Sequence, residues 1–452
     1  LHKPGQNLLD RLELFPLSTS VEDTPAGSHL SIAGCNLEVL AAEYGTPLYV
    51  YDRATLDGSV QAYKQALAAA YPGDSGLTYA GKAYLCTGIA QWTQVHDLWV
   101  DCTGEGELHV AAQARMPREH ILVHGVNKSP ADLQAAMAQA GRLVFDNPIE
   151  LERLVSLYRE RPGSSPELWF RLRPGLAVDT HKHTRTGQGD SKFGLNVEEA
   201  RHAIHLCLEM GLPLTGLHFH LGSHFHDPEP LGPAIETSLD LIAELQRTTG
   251  WTPETLSPGG GWGVAYHESE LPQPRIDKYV NFIAGKVIAG CQQRDLPLPR
   301  LQLEPGRGLV ARAGVALYRL GVVKEAAGRR WLLLDGGLSD NPRPALYQTR
   351  YSALPVRDPD RLQTGPAWLG GPFCESGDVL IEDLPMPAVL PGELIAVPVS
   401  GAYQLSMASN YNGARKPAVV MLQEGTARLI QRRETLEDLV RRDAPLIDGN
   451  DF

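Results

Sequence analysis

The chain has no run of about 18 apolar residues, the length a helix needs to cross a bilayer, so it is not expected to span a membrane. It has no CxxC. Its six cysteines, Cys35, Cys86, Cys102, Cys207, Cys291 and Cys374, are scattered over 452 residues. That pattern reads as free thiols in a reducing cytoplasm, not as a disulfide scaffold. It has no basic stripe: 41 Lys and Arg stand against 53 Asp and Glu, a formal charge of −12, which counts against nucleic acid and anionic membrane as partners. No GxGxxG follows an early strand, which counts against an open dinucleotide-binding sheet. The N-terminal LHKPGQNLLDRLELFP has no continuous apolar core and does not read as a secretory signal. Low-complexity tracts are absent too. The 45 Gly and 34 Pro sit singly or in tight motifs, so many short connections are expected.

What is present is an ordinary globular composition, long enough for three domains, or for two when one is a large barrel. Strand-like runs recur at 47–53, 77–83, 97–104, 120–125, 142–147, 167–174, 214–222, 255–260 and 301–307. Helical spacing lies between most of them, as in 56–71, 147–161 and 235–250. Strand, helix, strand over this length predicts parallel βαβ units, and about eight repeats suit a (β/α)8 TIM barrel. After about residue 310 the texture changes to strands joined by short turns, with no long helix until 434–443. The expected architecture is α/β: an N-terminal segment (1–46) associated with a β domain, a barrel (47–309) and a second, mainly antiparallel β domain (310–452).

Barrel active sites gather at the C-terminal ends of the strands. Those positions hold Lys82, Asp101, His124, Asp146, Arg171, His220, Gly259–Gly261 and Glu304–Arg307. Lys82, after TYAG, is either a solvated lysine or an amine able to form a Schiff base. SPGGGWG (257–263) is either a tight turn or a backbone cradle for an anion. HFHLGSHFH (218–226) holds four histidines, and strand alternation puts His218 and His220 on one inward face. No carboxylate or cysteine spacing matches them, so no metal site is expected. A His220 ring stacked on a cofactor, with Ser223 donating to a phosphate, fits the strand-then-turn pattern better. In LEPGRG (303–308), Pro305 and Gly306 force a turn after Glu304, which is either an ion-paired rim carboxylate or one facing a ring nitrogen. Arg307 offers a planar fork for a carboxylate. In CESGD (374–378), Cys374 is either an ordinary thiol or a proton donor, with Glu375 placed to recognise a cationic group.

In this order and spacing, YAGKA (79–83), CTGEGEL (102–108), SKFG (191–194), HFHLGS (218–223), SPGGGWG, LEPGRG, DGGLSDNPRPALY (335–347), CESGD and GAYQLSMASNYN (401–412) resemble the diaminopimelate decarboxylases. These belong to the fold-type III pyridoxal-phosphate enzymes, with ornithine decarboxylases and alanine racemases. The likeness runs from GTPLYVYD (45–52) to RRET (432–435). It implies an alanine-racemase-type barrel with a β domain, working as a head-to-tail homodimer with shared active sites on a small amino-acid substrate. It implies that Lys82 carries pyridoxal 5'-phosphate and that His220 stacks on its ring. Ser223, Gly259, Gly260, Gly261 and Tyr403 would hold the phosphate, and Glu304, within the turn formed by Pro305, Gly306 and Arg307, would pair with the ring nitrogen. Arg307, Arg343, Tyr347 and Tyr403 would bind the substrate. Cys374, as proton donor, and Glu375, on the substrate's distal end, would reach into the partner's site. The chain departs from the family pattern at His224, where many members have Gln, at Tyr84, where Asn is common, and in YNGARKP (411–417). These departures bear on substrate positioning more than on reaction class.

The expected reaction removes the carboxylate at the D-centre of meso-2,6-diaminopimelate and leaves L-lysine. The nearest rival is a decarboxylase of ornithine, lysine, arginine or carboxynorspermidine on the same scaffold. A bare distal amine mainly wants acidic groups, whereas a second amino-acid head wants Arg343, Tyr347 and Glu375 together. CESGD counts against a racemase. Intact Lys82, Glu304 and Cys374 count against a cofactor-free protein that regulates a decarboxylase.

Overall fold

The computed structural model describes residues 10–25, 27–160, 165–175 and 191–446. The first nine residues of the segment read above for a secretory signal lie outside them. The chain forms two units. One contains residues 56–265 and 271–311; the other contains residues up to Thr55, Tyr266–Glu270, and residues from Arg312 onward.

The first unit is a closed barrel of eight strands: β1 (Ser75–Ala80), β2 (Trp99–Thr103), β3 (Ile121–His124), β4 (Arg142–Phe145), β5 (Glu167–Arg171), β6 (Leu214–His218), β7 (Thr255–Gly259) and β8 (Arg300–Leu303). Each pairs in parallel with the next, and β8 closes on β1 through Leu301 opposite Ser75 and Leu303 opposite Leu77. Strands covered on both faces read as short apolar runs, which is why the barrel was visible in the sequence. Trp99, Leu122, Val144 and Trp169 fill part of the interior. A Cβ on Gly216 would lie 2.3 Å from the Trp169 indole, so that glycine makes room for the ring.

The helices between strands carry local start signals. Ser129 with Asp132, and Asn196 with Glu199, form reciprocal capping boxes at Pro130–Gln139 and Val197–Glu209. Helix Leu231–Thr249 buries Leu231, Ala234, Ile235, Ser238, Leu239, Ile242 and Leu245, a stripe at 3.6-residue period, and ends at Gly250 in the left-handed conformation. A Cβ on Gly290, in helix Ile276–Gln293, would lie 2.3 Å from Leu239 Cδ1, so the two helices pack closely there.

The second unit is mainly antiparallel. Its long sheet runs, in spatial order, Val379–Pro387, Gln363–Gly370, Arg329–Leu334, Gly314–Ala326, Leu48–Asp52, Ala418–Gln423 and Thr426–Gln431. Two of these neighbouring pairs are parallel. A three-stranded sheet, Thr19–Thr24, Gly27–Ile32 and Cys35–Asn36, lies in the same unit. Leu30, Ile32, Leu37 and Leu40 share a core with Leu48, Val50, Val315, Leu317 and Val420.

Residues 47–53, expected at the head of the barrel, behave differently. Leu48–Asp52 pairs antiparallel with Gly314–Leu317 and parallel with Ala418–Leu422. All five residues are buried. A strand covered on both faces has the same apolar signature in either sheet, so periodicity could not separate the two. Tyr266–Glu270, inside the expected barrel span, also belongs to the β unit, and Glu268 accepts from Arg11 Nε at 2.9 Å there. Among the described residues no helix is long and apolar enough to cross a membrane.

Candidate active site

Strand β8 ends at Leu303, and Glu304 follows at once, fully enclosed at 6% exposure. Ser257 Oγ donates to its Oε1 at 2.7 Å. His218 Nδ1 lies 3.2 Å from the same oxygen, and His124 Nε2 lies 3.3 Å from Oε2. Burial alone would raise this carboxyl, but His218 and His124 outweigh it and hold it well below the usual carboxylate range. Burial pushes His218 down to about 4 against the pull of Glu304. The Ser257 hydroxyl and the two imidazoles around it thus favour the ionised form of this buried carboxylate.

His124, His218 and Glu304 place one ligating atom each within 4.8 Å of the others. The sequence reading set a metal aside because no carboxylate matched the histidine spacing. The carboxylate comes instead from a different strand end. β6 stops at His218, whose ring centroid stands 4.5 Å from that of His124, and His220 follows two residues beyond the strand.

Three loops close over this carboxylate, and glycines let them meet. A Cβ on Gly259 (φ +74°) would lie 2.7 Å from His220 Nδ1; on Gly260, 2.1 Å from Glu304 O; on Gly261 (φ +110°), 2.3 Å from Gly222 O. Phe225 N donates to Gly261 O at 2.9 Å, and Glu304 N to Gly259 O at 2.9 Å. The glycine run is therefore required first by the packing of the loops after β6, β7 and β8, beyond any anion it holds. His220 is half-buried and packs against Gly259. Burial, then the charges of Lys82 and Arg171, push its imidazole well below 6.5.

Lys82 sits in the turn Gly81–Ala83 after β1, exposed. The EPGR turn backs it: Ala80 N donates to Pro305 O at 3.2 Å, and a Cβ on Gly306 would lie 3.0 Å from Ala80 Cβ and 3.1 Å from Ala83 Cβ. Asp101 is buried nearby; burial raises its carboxyl, opposed by His124 and Lys82. Arg307, 5% exposed, donates through Nη2 to Ser223 Oγ at 2.9 Å. Ser223 is expected on the cofactor and Arg307 on both cofactor and substrate, and the fold joins the two side chains directly.

In the β unit, Arg343 opens the short helix Arg343–Tyr347 and is 6% exposed. Its Nε donates to Tyr351 OH at 3.1 Å and its Nη2 to Thr349 Oγ1 at 3.3 Å. Its guanidinium carbon lies 5.3 Å from the Tyr266 ring centre, 5.4 Å from that of Tyr347 and 5.5 Å from that of Tyr403. Tyr403 has φ +65°, a left-handed conformation that is strained for a tyrosine. Cys374 and Glu375 lie in an exposed turn; Glu375 Oε1 accepts from Gly377 N at 3.2 Å, and Cys374 is exposed whereas the other five cysteines are buried.

Sequence reasoning gave Ser257, His124 and His218 no role toward Glu304, and it missed Tyr266 and Tyr351 around Arg343. His124 was legible as a polar strand end. Ser257 was legible as the residue before a Pro-Gly run. Tyr266 and Tyr351 carried no signal, because they reach Arg343 from separate segments.

A profile of the family described as "Pyridoxal-dependent decarboxylase, pyridoxal binding domain" matches residues 54–311. The diaminopimelate decarboxylase of Synechocystis sp. is 37% identical over 451 residues, covering 97% of this chain and 93% of its own length. That of Actinosynnema pretiosum is 39% identical over 435 residues, covering 95% of each. The crystal structure of the M. jannaschii diaminopimelate decarboxylase in complex with L-lysine superposes with a TM-score of 0.85 at 28% identity, covering 94% of this chain and 98% of that one. With a closed barrel carrying the pyridoxal-binding segment and full-length identity well above 30%, this chain belongs to the diaminopimelate decarboxylase family of pyridoxal-dependent decarboxylases.

Proposed function

We propose that this protein decarboxylates meso-2,6-diaminopimelate to L-lysine and CO2 with pyridoxal 5'-phosphate, as a cytoplasmic homodimer with shared active sites. The observation that carries the reading is Glu304, a carboxyl buried at the end of β8 among Ser257, His218 and His124, in the turn that backs Lys82. A carboxylate fixed there suits a protonated pyridine nitrogen. The same demand on Glu304 argues that the His124–His218–Glu304 trio serves the cofactor, not a metal.

Bound pyridoxal phosphate supplies an electron sink for the pair left behind when CO2 departs. Lys82 is the amine that anchors it. Glu304 keeps a proton on the ring nitrogen, and the neutral His220 ring offers a flat face without a competing positive charge. Ser223 and Arg307 take the phosphate together with Gly259, Gly260, Gly261 and Tyr403. Arg343 and Tyr347 bind the distal carboxylate of their own chain's substrate. Cys374 and Glu375 serve the partner's site: Glu375 holds the distal ammonium, and Cys374 returns a proton to the α-carbon that lost its carboxylate. One proton is taken up for each CO2 released, so the reaction balances.

A buried guanidinium ringed by tyrosines is of little use to a substrate ending in a bare amine. That favours diaminopimelate over ornithine, lysine or arginine. The test is to incubate the protein with pyridoxal phosphate and each of these amino acids, and to measure CO2 and the chirality of any lysine formed. L-Lysine from the meso isomer with little CO2 from the others is expected. Release from ornithine at a comparable rate would overturn the substrate assignment.

A further inference from the structure

One carboxylate grips both the turn that carries Cys374 and Glu375 and the loop that leads to Arg343. Asp378 is 5% exposed. Its Oδ2 accepts from Phe373 N at 2.9 Å, immediately before Cys374, and its Oδ1 accepts from Leu338 N at 2.7 Å. The turn closes around it: Asp378 N donates to Glu375 O at 3.1 Å, and Gly371 N to Asp378 O at 3.0 Å.

Two glycines exist to admit this carboxylate. A Cβ on Gly371 would lie 2.3 Å from Asp378 Oδ2, and one on Gly337 would lie 2.2 Å from Oδ1. Neither glycine has a positive φ, so the backbone itself does not demand glycine at either place. From Leu338 the path to Arg343 is short and hydrogen-bonded throughout. Asn341 N donates to Gly337 O at 2.8 Å, Gly337 N donates to Asp340 Oδ1 at 2.9 Å, and Arg343 N donates to Asn341 Oδ1 at 3.4 Å.

We propose that Asp378 is a positioning residue that ties two active sites together, setting Arg343 for its own chain's substrate and the Cys374–Glu375 turn for the partner's. This rests on the shared-site reading above. It assigns a role to the last residue of CESGD and to the second glycine of DGG.

The test uses the full-length holoenzyme with Asp378→Asn. An amide keeps the shape but offers one acceptor where two N–H groups need two. In the homodimer, kcat should fall and KM for meso-diaminopimelate should rise, each by about tenfold, with cofactor content unchanged by visible absorption. The variant is then mixed with Lys82→Ala. The one active site of a mixed dimer takes its barrel and Arg343 from the Asp378→Asn chain, and its Cys374 turn from the other chain. In that site kcat should return to the wild-type value while KM stays raised.

Recovery of both constants, recovery of neither, or unchanged kinetics in the Asp378→Asn homodimer each overturn the coupling. If Asp378→Asn does not fold, Gly371→Ala displaces the carboxylate sterically with every polar group kept, and must give the same split. Mixing Cys374→Ala with Lys82→Ala is the control. If that mixture regains no activity, the shared-site reading falls and the coupling falls with it. If it regains activity and the kcat–KM split is absent, the coupling alone falls.

Discussion

Replacing Glu304 by glutamine isolates its charge, because the amide keeps the side chain's length and shape. In the protein this carboxylate is buried, takes a 2.7 Å hydrogen bond from Ser257 and lies between His218 and His124. Opposite unit charges about 4 Å apart, at an effective dielectric near 20, attract by about 4 kcal/mol. At about 1.36 kcal/mol per factor of ten, removing that attraction should slow decarboxylation by up to about a thousandfold. Ser257→Ala leaves the charge but strips one hydrogen bond from it, about 1.5–3 kcal/mol for a charged acceptor, so it should cost roughly 10- to 150-fold and fall between wild type and Glu304→Gln. The assay is CO2 release under saturating meso-diaminopimelate, normalised to bound cofactor. If Glu304→Gln with full cofactor runs within about threefold of wild type, or if Ser257→Ala is the slower variant, the electrostatic role of this residue is refuted.

Lys82→Ala should abolish both turnover and the visible absorption of the bound cofactor; an active, coloured variant would assign the anchoring amine elsewhere. Arg343→Gln should raise KM for meso-diaminopimelate about 100-fold through the loss of a charged, forked contact, with kcat nearly unchanged, and a fall in kcat at constant KM would contradict distal binding. Asp340 accepts from Tyr318 at 2.6 Å and from Tyr49 at 2.9 Å, and burial, only partly offset by these bonds, pushes its carboxyl up to about 6. An unfolded aspartate titrates near about 3.9, so the native state holds the extra proton between roughly pH 4 and 6, and stability falls as pH rises through that window by up to about 3 kcal/mol. Asp340→Asn should flatten this: the melting temperature of wild type relative to the variant should climb as pH drops from about 7 to 4.5, and parallel curves would show that Asp340 does not titrate there.

Much of the barrel was readable because its strands are covered on both faces and its helices are amphipathic, so each βα repeat leaves an apolar run followed by a 3.6-residue stripe. The same physics hid the fate of residues 47–53. A doubly covered strand carries no mark of which sheet covers it, and only the pairing of Leu48 with Leu317 and Ala418 decides the matter. Turn chemistry placed Glu304, because Pro305 and Gly306 end β8 beside it. Charge state was not legible, since it depends on His124 and His218 arriving from two other strands.

The glycines show most clearly where sequence reasoning stops. SPGGGWG invites one explanation, a cradle of N–H groups for a phosphate. In the fold, Gly260 already has Glu304 O where its Cβ would be, and Gly261 has Gly222 O. Closeness between the three loops is what excludes a side chain. Gly337 and Gly371 make the same point in the β unit. Each is small for the sake of one carboxylate, Asp378, that no spacing rule connects to it. A glycine in a motif thus names a site of close approach but not what approaches, and the partner has to be found in three dimensions before a role can be given to either.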